Sequence, residues 1–157
     1  MSNKARIREE AGKLNPIDDA MFRQMADDKD FCQEMLRVII NDPALVVIEA
    51  RAQYSATNRQ GRSAVIDATC KLGNGEIVGI EVEKSDRDDH QRRVRYNGAL
   101  ITTNVTDPGT RFRDVPDVIF IYIMRTDPFG GNRAVYHVSR VVEELNKTVY
   151  NGLRKSM

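Results

Sequence analysis

The chain has 157 residues, about two fifths of them apolar, which suffices for one ordinary core and is short for two. Lys plus Arg number 24 against 23 Asp plus Glu, so a net charge of +1 sets up no overall field to draw in a polyanion, and any basic surface has to be local. The longest apolar run, residues 118–124, is far too short to cross a bilayer, and the N-terminus lacks an apolar signal core.

The only cysteines, Cys32 and Cys70, have no C-x-x-C spacing and fall within apolar patterns, so buried reduced thiols and a cytoplasmic protein are expected. After a polar arm over residues 1–13, Asn15 and Pro16 suit a helix entry. Ile17, Met21, Phe22 and Met25 then recur at helical spacing as far as Ala26. Residues 28–30 cap a second helix with a buried stripe of Phe31, Cys32, Met35, Leu36, Ile39 and Ile40, and Asn41, Asp42 and Pro43 stop it. Residues 45–48 predict a strand and the polar stretch 54–62 a loop.

Residues 63–72 alternate, with Ala64, Ile66, Ala68, Cys70 and Leu72 on one side and Asp67 on the other. Residues 76–84 alternate too, setting Val78, Ile80 and Val82 against Ile77, Gly79, Glu81 and Glu83. Ser85, with Asp88 three residues on, suits the cap of a helix running to about residue 103. That helix carries Arg92, Arg93, Arg95 and Tyr96 and is broken at 106–109. The continuous β-branched and aromatic run 118–124 fits a strand covered on both faces, as in sheets flanked by helices. Residues 134–138 predict a short strand and 141–145 a short helix. The fold class expected is α/β, with a mixed central β-sheet flanked by helices, in a single domain over residues 14–157.

Gly73, Asn74 and Gly75 mark a hairpin between the two alternating segments, and polarity fixes its loop length. A two-residue loop would set Ala68 opposite Glu81 and Asp67 opposite Val82, mixing polar with apolar on both faces. A three-residue loop pairs Leu72 with Glu76, Cys70 with Val78, Ala68 with Ile80 and Ile66 with Val82, and sets Asp67 against Glu81 with Glu83 beside them. Facing residues hold their Cβ atoms roughly 4.5–5.5 Å apart, and at an effective dielectric of 20 two full charges near that distance repel by about 3 kcal/mol. A divalent cation relieves that repulsion, because Mg²⁺ takes one or two carboxylates, keeps several waters and completes its shell with substrate phosphate. The same spacing equally suits a solvated sheet face whose acids splay apart, with Arg or Lys neighbours neutralising them.

The order Asp67, hairpin, Glu81-Val82-Glu83-Lys84 and helix resembles the PD-(D/E)xK nuclease core. In detail, GRSAVIDATCKLGNGEIVGIEVEKSD followed by HQRRVRYNGAL is similar to the transposase-like branch that includes the recombination-promoting nucleases, and NPIDDAMFRQM, with Asp19 and Phe22, fits their N-terminal helix. The resemblance implies a restriction-endonuclease-like fold and an endonuclease of DNA recombination. It would hydrolyse DNA with Mg²⁺, or Mn²⁺ in its place, held by Asp67 and Glu81, with Asp19 as a further helix-borne acid.

Glu83 occupies the third position of E-x-K, where the superfamily usually has Lys and this branch often Gln. It departs from the pattern, either completing the metal site and orienting water or marking a site that has lost activity. Lys84, by strand parity, points to the other face. Arg92, Arg93, Arg95 and Tyr96 are candidates to grip DNA phosphates. Against that, Arg92 and Arg93 also stand at helical spacing from Asp88 and Asp89, and Tyr96 suits a core position. By analogy the partners are DNA and a second copy of the chain, with no membrane and no small organic cofactor. The rival is a family member without catalysis that binds DNA or a protein. His90 and His137 lack zinc-site spacing, and no P-loop or nucleophile elbow occurs. The resembling proteins usually continue past this point, so a C-terminally truncated chain is expected.

Overall fold

The computed structural model describes residues 19–84, 89–149 and 153–156. Helices α1 (Asp19–Ala26) and α2 (Lys29–Ile40) come first, then strands β1 (Val47–Ala56), β2 (Ala64–Leu72) and β3 (Ile77–Glu83). Helix α3 (His90–Val105) leads through a 3-10 turn to β4 (Val118–Met124). The short strands β5 (His137–Val138), β6 (Val141–Val142), β7 (Lys147–Thr148) and β8 (Leu153–Ser156) follow. The main sheet runs β1-β2-β3-β4-β8-β5. Its first three strands are antiparallel, whereas β4 lies parallel to β3, a return that needs the α3 crossover. This is the mixed, helix-flanked α/β sheet of a restriction-endonuclease-like fold.

Each face of the sheet has its own apolar cluster. Phe22, Ala26, Cys32 and Leu36 of α1 and α2 pack on Ala68, Cys70, Leu72, Val78, Ile80, Ile119 and Ile121. On the opposite face Val94 and Ile101 of α3 pack on Ile66, Val118, Phe120 and Tyr122. Strand β4 therefore serves both clusters, and its residues from Val118 to Tyr122 are all buried, as the unbroken apolar run requires. Cys32 and Cys70 are free and buried in the first cluster.

Asp28 caps α2 by accepting from the N–H groups of Asp30 and Phe31, and Asn41 closes the helix in the left-handed region at φ +58. Side chains from α2 and from the junction before it also occupy the open edge of the sheet. Asp27 Oδ1 accepts from Ala52 N–H at 2.8 Å, and Gln33 Oε1 accepts from Val47 N–H at 3.1 Å. Helix α3 approaches β3 most closely at Gly79, where an added Cβ would lie 2.6 Å from Ile101 Cδ1 and 3.1 Å from the Phe120 ring. Gly79→Ala is expected to lower stability by about 1–3 kcal/mol in urea unfolding, through overpacking between helix and sheet.

Several elements differ from expectation. The strand expected over residues 45–48 begins at Val47 and runs on to Ala56, so that the loop expected from Tyr54 starts at Thr57. Pairing with β2 along its length overrides the weak strand propensity of its alanines and charged residues. The expected strand 134–138 contracts to His137–Val138. The expected helix 141–145 is a two-residue strand, paired with β7, followed by a single 3-10 turn that ends at left-handed Asn146. Asn15, Pro16, Ser85 and Asp88, expected at helix starts, lie outside the described residues.

The alternation along β2 also breaks. Ala64 and Ile66 join the α3 cluster, whereas Ala68, Cys70 and Leu72 lie beneath α1 and α2. Ile66 therefore does not share a face with Val82, which packs with the first cluster. The switch falls at Asp67. Its counterpart across the ladder, between Ala52↔Ala68 and Tyr54↔Ile66, is Gln53, whose backbone is left-handed at φ +54.

Candidate active site

The β2–β3 hairpin has the three-residue loop that polarity requires. Leu72 N–H donates to Glu76 C=O at 2.9 Å, and the partners Lys71↔Ile77, Cys70↔Val78 and Ala68↔Ile80 follow in one register. The ladder ends at Ala68↔Ile80, and Asp67 and Glu81 are the next residue on each strand. Here a side chain takes over from the ladder, because Asp67 Oδ2 accepts from Val82 N–H at 2.9 Å.

Glu81 is buried, with 6 % of its surface exposed, and its carboxyl is in hydrogen-bonding contact with Asp67. Its Oε1 accepts from Asn97 Nδ2 on α3 at 2.9 Å. Burial, then the charge of Asp67 and the hydrogen bond between the two groups, push the Glu81 carboxyl up to about 8. Arg93 pulls against that rise and Glu83 adds to it. Without a bound cation Glu81 therefore keeps its proton at neutral pH.

Two arginines reach the acids from opposite layers. Arg23 of α1 brings a guanidinium nitrogen to 3.7 Å from Asp67 Oδ1. Arg93 of α3 donates from Nη1 to Glu83 Oε2, and its guanidinium lies over the Tyr122 ring, 5.9 Å from the centroid. Tyr122 is the β4 partner of Glu81, and its buried hydroxyl has no hydrogen-bond partner among the described residues.

The solvated arrangement does not occur, because Glu81 is buried and its carboxyl is raised by that burial and by neighbouring Asp67, although arginine neighbours are present as that alternative foresaw. Glu83 is engaged by Arg93, and Arg93 reaches across to β3 for its ion pair. Arg92 and Arg95 are exposed on α3. Tyr96, partly exposed, donates its hydroxyl to Arg62 C=O and accepts from Asn58 Nδ2 at 3.1 Å, pinning the β1–β2 loop to α3. Asn104 reinforces this tether with two bonds of 3.0 Å to the Thr57 backbone. Asp19 opens α1, and its side chain lies outside the described residues. Lys84 is exposed.

Sequence reading missed three members of this cluster. Asn97 had a signal, since it is a polar residue in the α3 stripe that buries Val94 and Ile101. Tyr122 is hidden in an apolar run, and Arg23 is one cation in a short helix with no pattern to single it out.

Among the described residues no group of three or more His, Cys, Asp or Glu side chains is placed to hold a metal ion. The donor set nevertheless suits a hard dication: two neighbouring carboxyl groups, one of them raised toward its neutral form by burial and by the charge of the other. Residues 18–154 match the model of a family described as PD-(D/E)XK nuclease family transposase. No curated protein and no solved structure matches the chain significantly.

Proposed function

This chain belongs to the PD-(D/E)XK nuclease transposase family, and from that membership we propose that it is a metal-dependent endonuclease that hydrolyses DNA phosphodiester bonds in recombination. The observation that carries the reading is the contact between Asp67 and Glu81 on neighbouring strands, with Glu81 raised to about 8.

Asp67 and Glu81 would hold Mg²⁺ or Mn²⁺, which when bound supplies a water of lowered pKa and neutralises charge on the phosphate. The chain's own groups set the stage. Val82 N–H fixes Asp67 Oδ2 and Asn97 fixes Glu81 Oε1, which would leave the other oxygen of each acid for the ion. In the hydrolysis, water oxygen bonds to phosphorus, one P–O ester bond breaks, and the leaving oxygen takes up a proton. A phosphate monoester and a hydroxyl result. The exposed Arg92 and Arg95 offer guanidinium forks for flanking phosphates. A homodimer would bring two such sites to a duplex, and the buried free thiols suit a cytoplasmic enzyme.

Plasmid and oligonucleotide cleavage tests this. Nicking or cutting is expected with Mg²⁺ or Mn²⁺ and none in excess chelator, and cleavage that persists in chelator would rule the mechanism out. A second reading, a DNA- or protein-binding module without catalysis, draws on the arginines that already neutralise Asp67 and Glu83. The two readings part in a metal titration followed by melting temperature. At a hundredfold excess over Kd, a cation that binds only the folded chain adds about 2.7 kcal/mol of apparent stability, whereas the module gains nothing.

A further inference from the structure

Glu83 stands beside the paired acids on β3, yet its carboxylate faces a guanidinium. Glu83 Oε2 accepts from Arg93 Nη1, and the Glu83 side chain is only 12 % exposed. The Arg93 side chain, 34 % exposed, is held on a second side by the face of Tyr122. Tyr122 in turn is the strand partner of Glu81, so the guanidinium is anchored over the residues that carry the buried acid. A guanidinium has five N–H donors in a fixed plane, and the bond to Glu83 takes up one end of the fork. A third of the side chain remains accessible to a ligand.

We propose that Arg93, clasped by Glu83 and stacked on Tyr122, is a catalytic residue that contacts the scissile phosphate, and that Glu83 is its positioning residue and not a metal ligand. The inference rests on the nuclease reading and assigns this site's charge stabilisation to the helix α3. Hydrolysis builds negative charge on the equatorial phosphate oxygens, and a donor already fixed in place stabilises that charge without reorganising. Arg93 is fixed by an ion pair and by a ring, whereas Arg92 and Arg95 on the same helix are exposed.

The test compares Glu83→Gln, Arg93→Lys and Arg93→Met in two assays: Mn²⁺ binding by titration calorimetry, and kcat and KM for an oligonucleotide. Arg93→Met is expected to lower kcat about 10²–10³-fold, the range for removing one preorganised donor, with Mn²⁺ affinity unchanged within about twofold. Arg93→Lys should recover part of kcat. Glu83→Gln should keep Mn²⁺ affinity and lower kcat by a smaller factor, about tenfold, and a fourth variant that combines Glu83→Gln with Arg93→Met should be no slower than Arg93→Met alone. A tenfold or greater loss of Mn²⁺ affinity in Glu83→Gln would overturn the positioning role. Wild-type kcat in Arg93→Met, with only the melting temperature lowered, would overturn the catalytic one. A wild-type chain that binds Mn²⁺ and cuts no DNA would overturn the nuclease reading and Arg93's role with it, while the titration still decides whether Glu83 is a ligand.

Discussion

Glu81→Gln should melt several degrees above the wild type at pH 8 in chelator, and should cut no DNA. In the folded, cation-free chain the Glu81 carboxyl is raised to about 8 from an ordinary 4.5. Between those values the folded form keeps a proton that the unfolded chain has released. The stability linked to this group is therefore fully present below about pH 4.5, is lost as pH rises toward 8, and changes no further above it. The slope is about 1.4 kcal/mol per pH unit, and each kcal/mol moves the melting temperature of a domain this size by about 2–4 °C. Glutamine has no proton to lose. Its amide can donate to Asp67 as the protonated acid does, and its carbonyl can accept from Asn97. Melting curves from pH 5 to 8.5 in chelator should thus fall for the wild type and stay flatter for Glu81→Gln, and parallel curves would refute the crowded-acid account. Added Mg²⁺ should raise the wild-type curve at pH 8 and leave the variant where it is.

Asp67→Asn is the second large effect. It removes the charge but keeps an oxygen that can accept from Val82 N–H, so the strand junction should survive. Loss of a metal-holding charge worth several kcal/mol in the transition state corresponds to a fall in cleavage of about a thousandfold or more. Circular dichroism and cooperative urea unfolding should show an intact fold. An Asp67→Asn protein that cuts DNA within tenfold of wild type would remove Asp67 from the mechanism.

The hairpin that carries the acids was the most legible part of the chain. The two segments alternate in sequence, so a wrong loop length would put charge against apolar side chains along both faces, and the expected register holds from the loop to Ala68↔Ile80, whereas the crossing of Ile66 to the α3 cluster left no signal. The buried strand β4 was legible for a related reason, since a run of Val, Ile, Phe and Tyr tolerates solvent on neither face. Strand β1 was harder, because Glu49, Arg51 and Gln53 alternate with alanines whose small side chains give little apolar signal. Two-residue strands such as β5 and β6 are too short to show any period.

Within the site, the facing acids could be read because both belong to one local hairpin. The ion pair of Arg93 with Glu83, the approach of Arg23 to Asp67 and the bond from Asn97 to Glu81 join separate elements, and no local spacing encodes which partner each one finds. For Arg92 and Arg93 the helix offered nearby acids at i−4, yet the half-buried carboxylate across the layer is the one that Arg93 meets.

Gln53 donates nothing to the chemistry, yet it lies across the ladder from the first acid, at the point where β2 exchanges one layer for the other. A non-glycine residue rarely adopts its left-handed backbone, so the neighbouring strand must hold that turn in place. The aim of Asp67 is thereby tied to a peripheral strand. A substitution at position 53 would shift the carboxylate of Asp67 while leaving every proposed site residue unchanged.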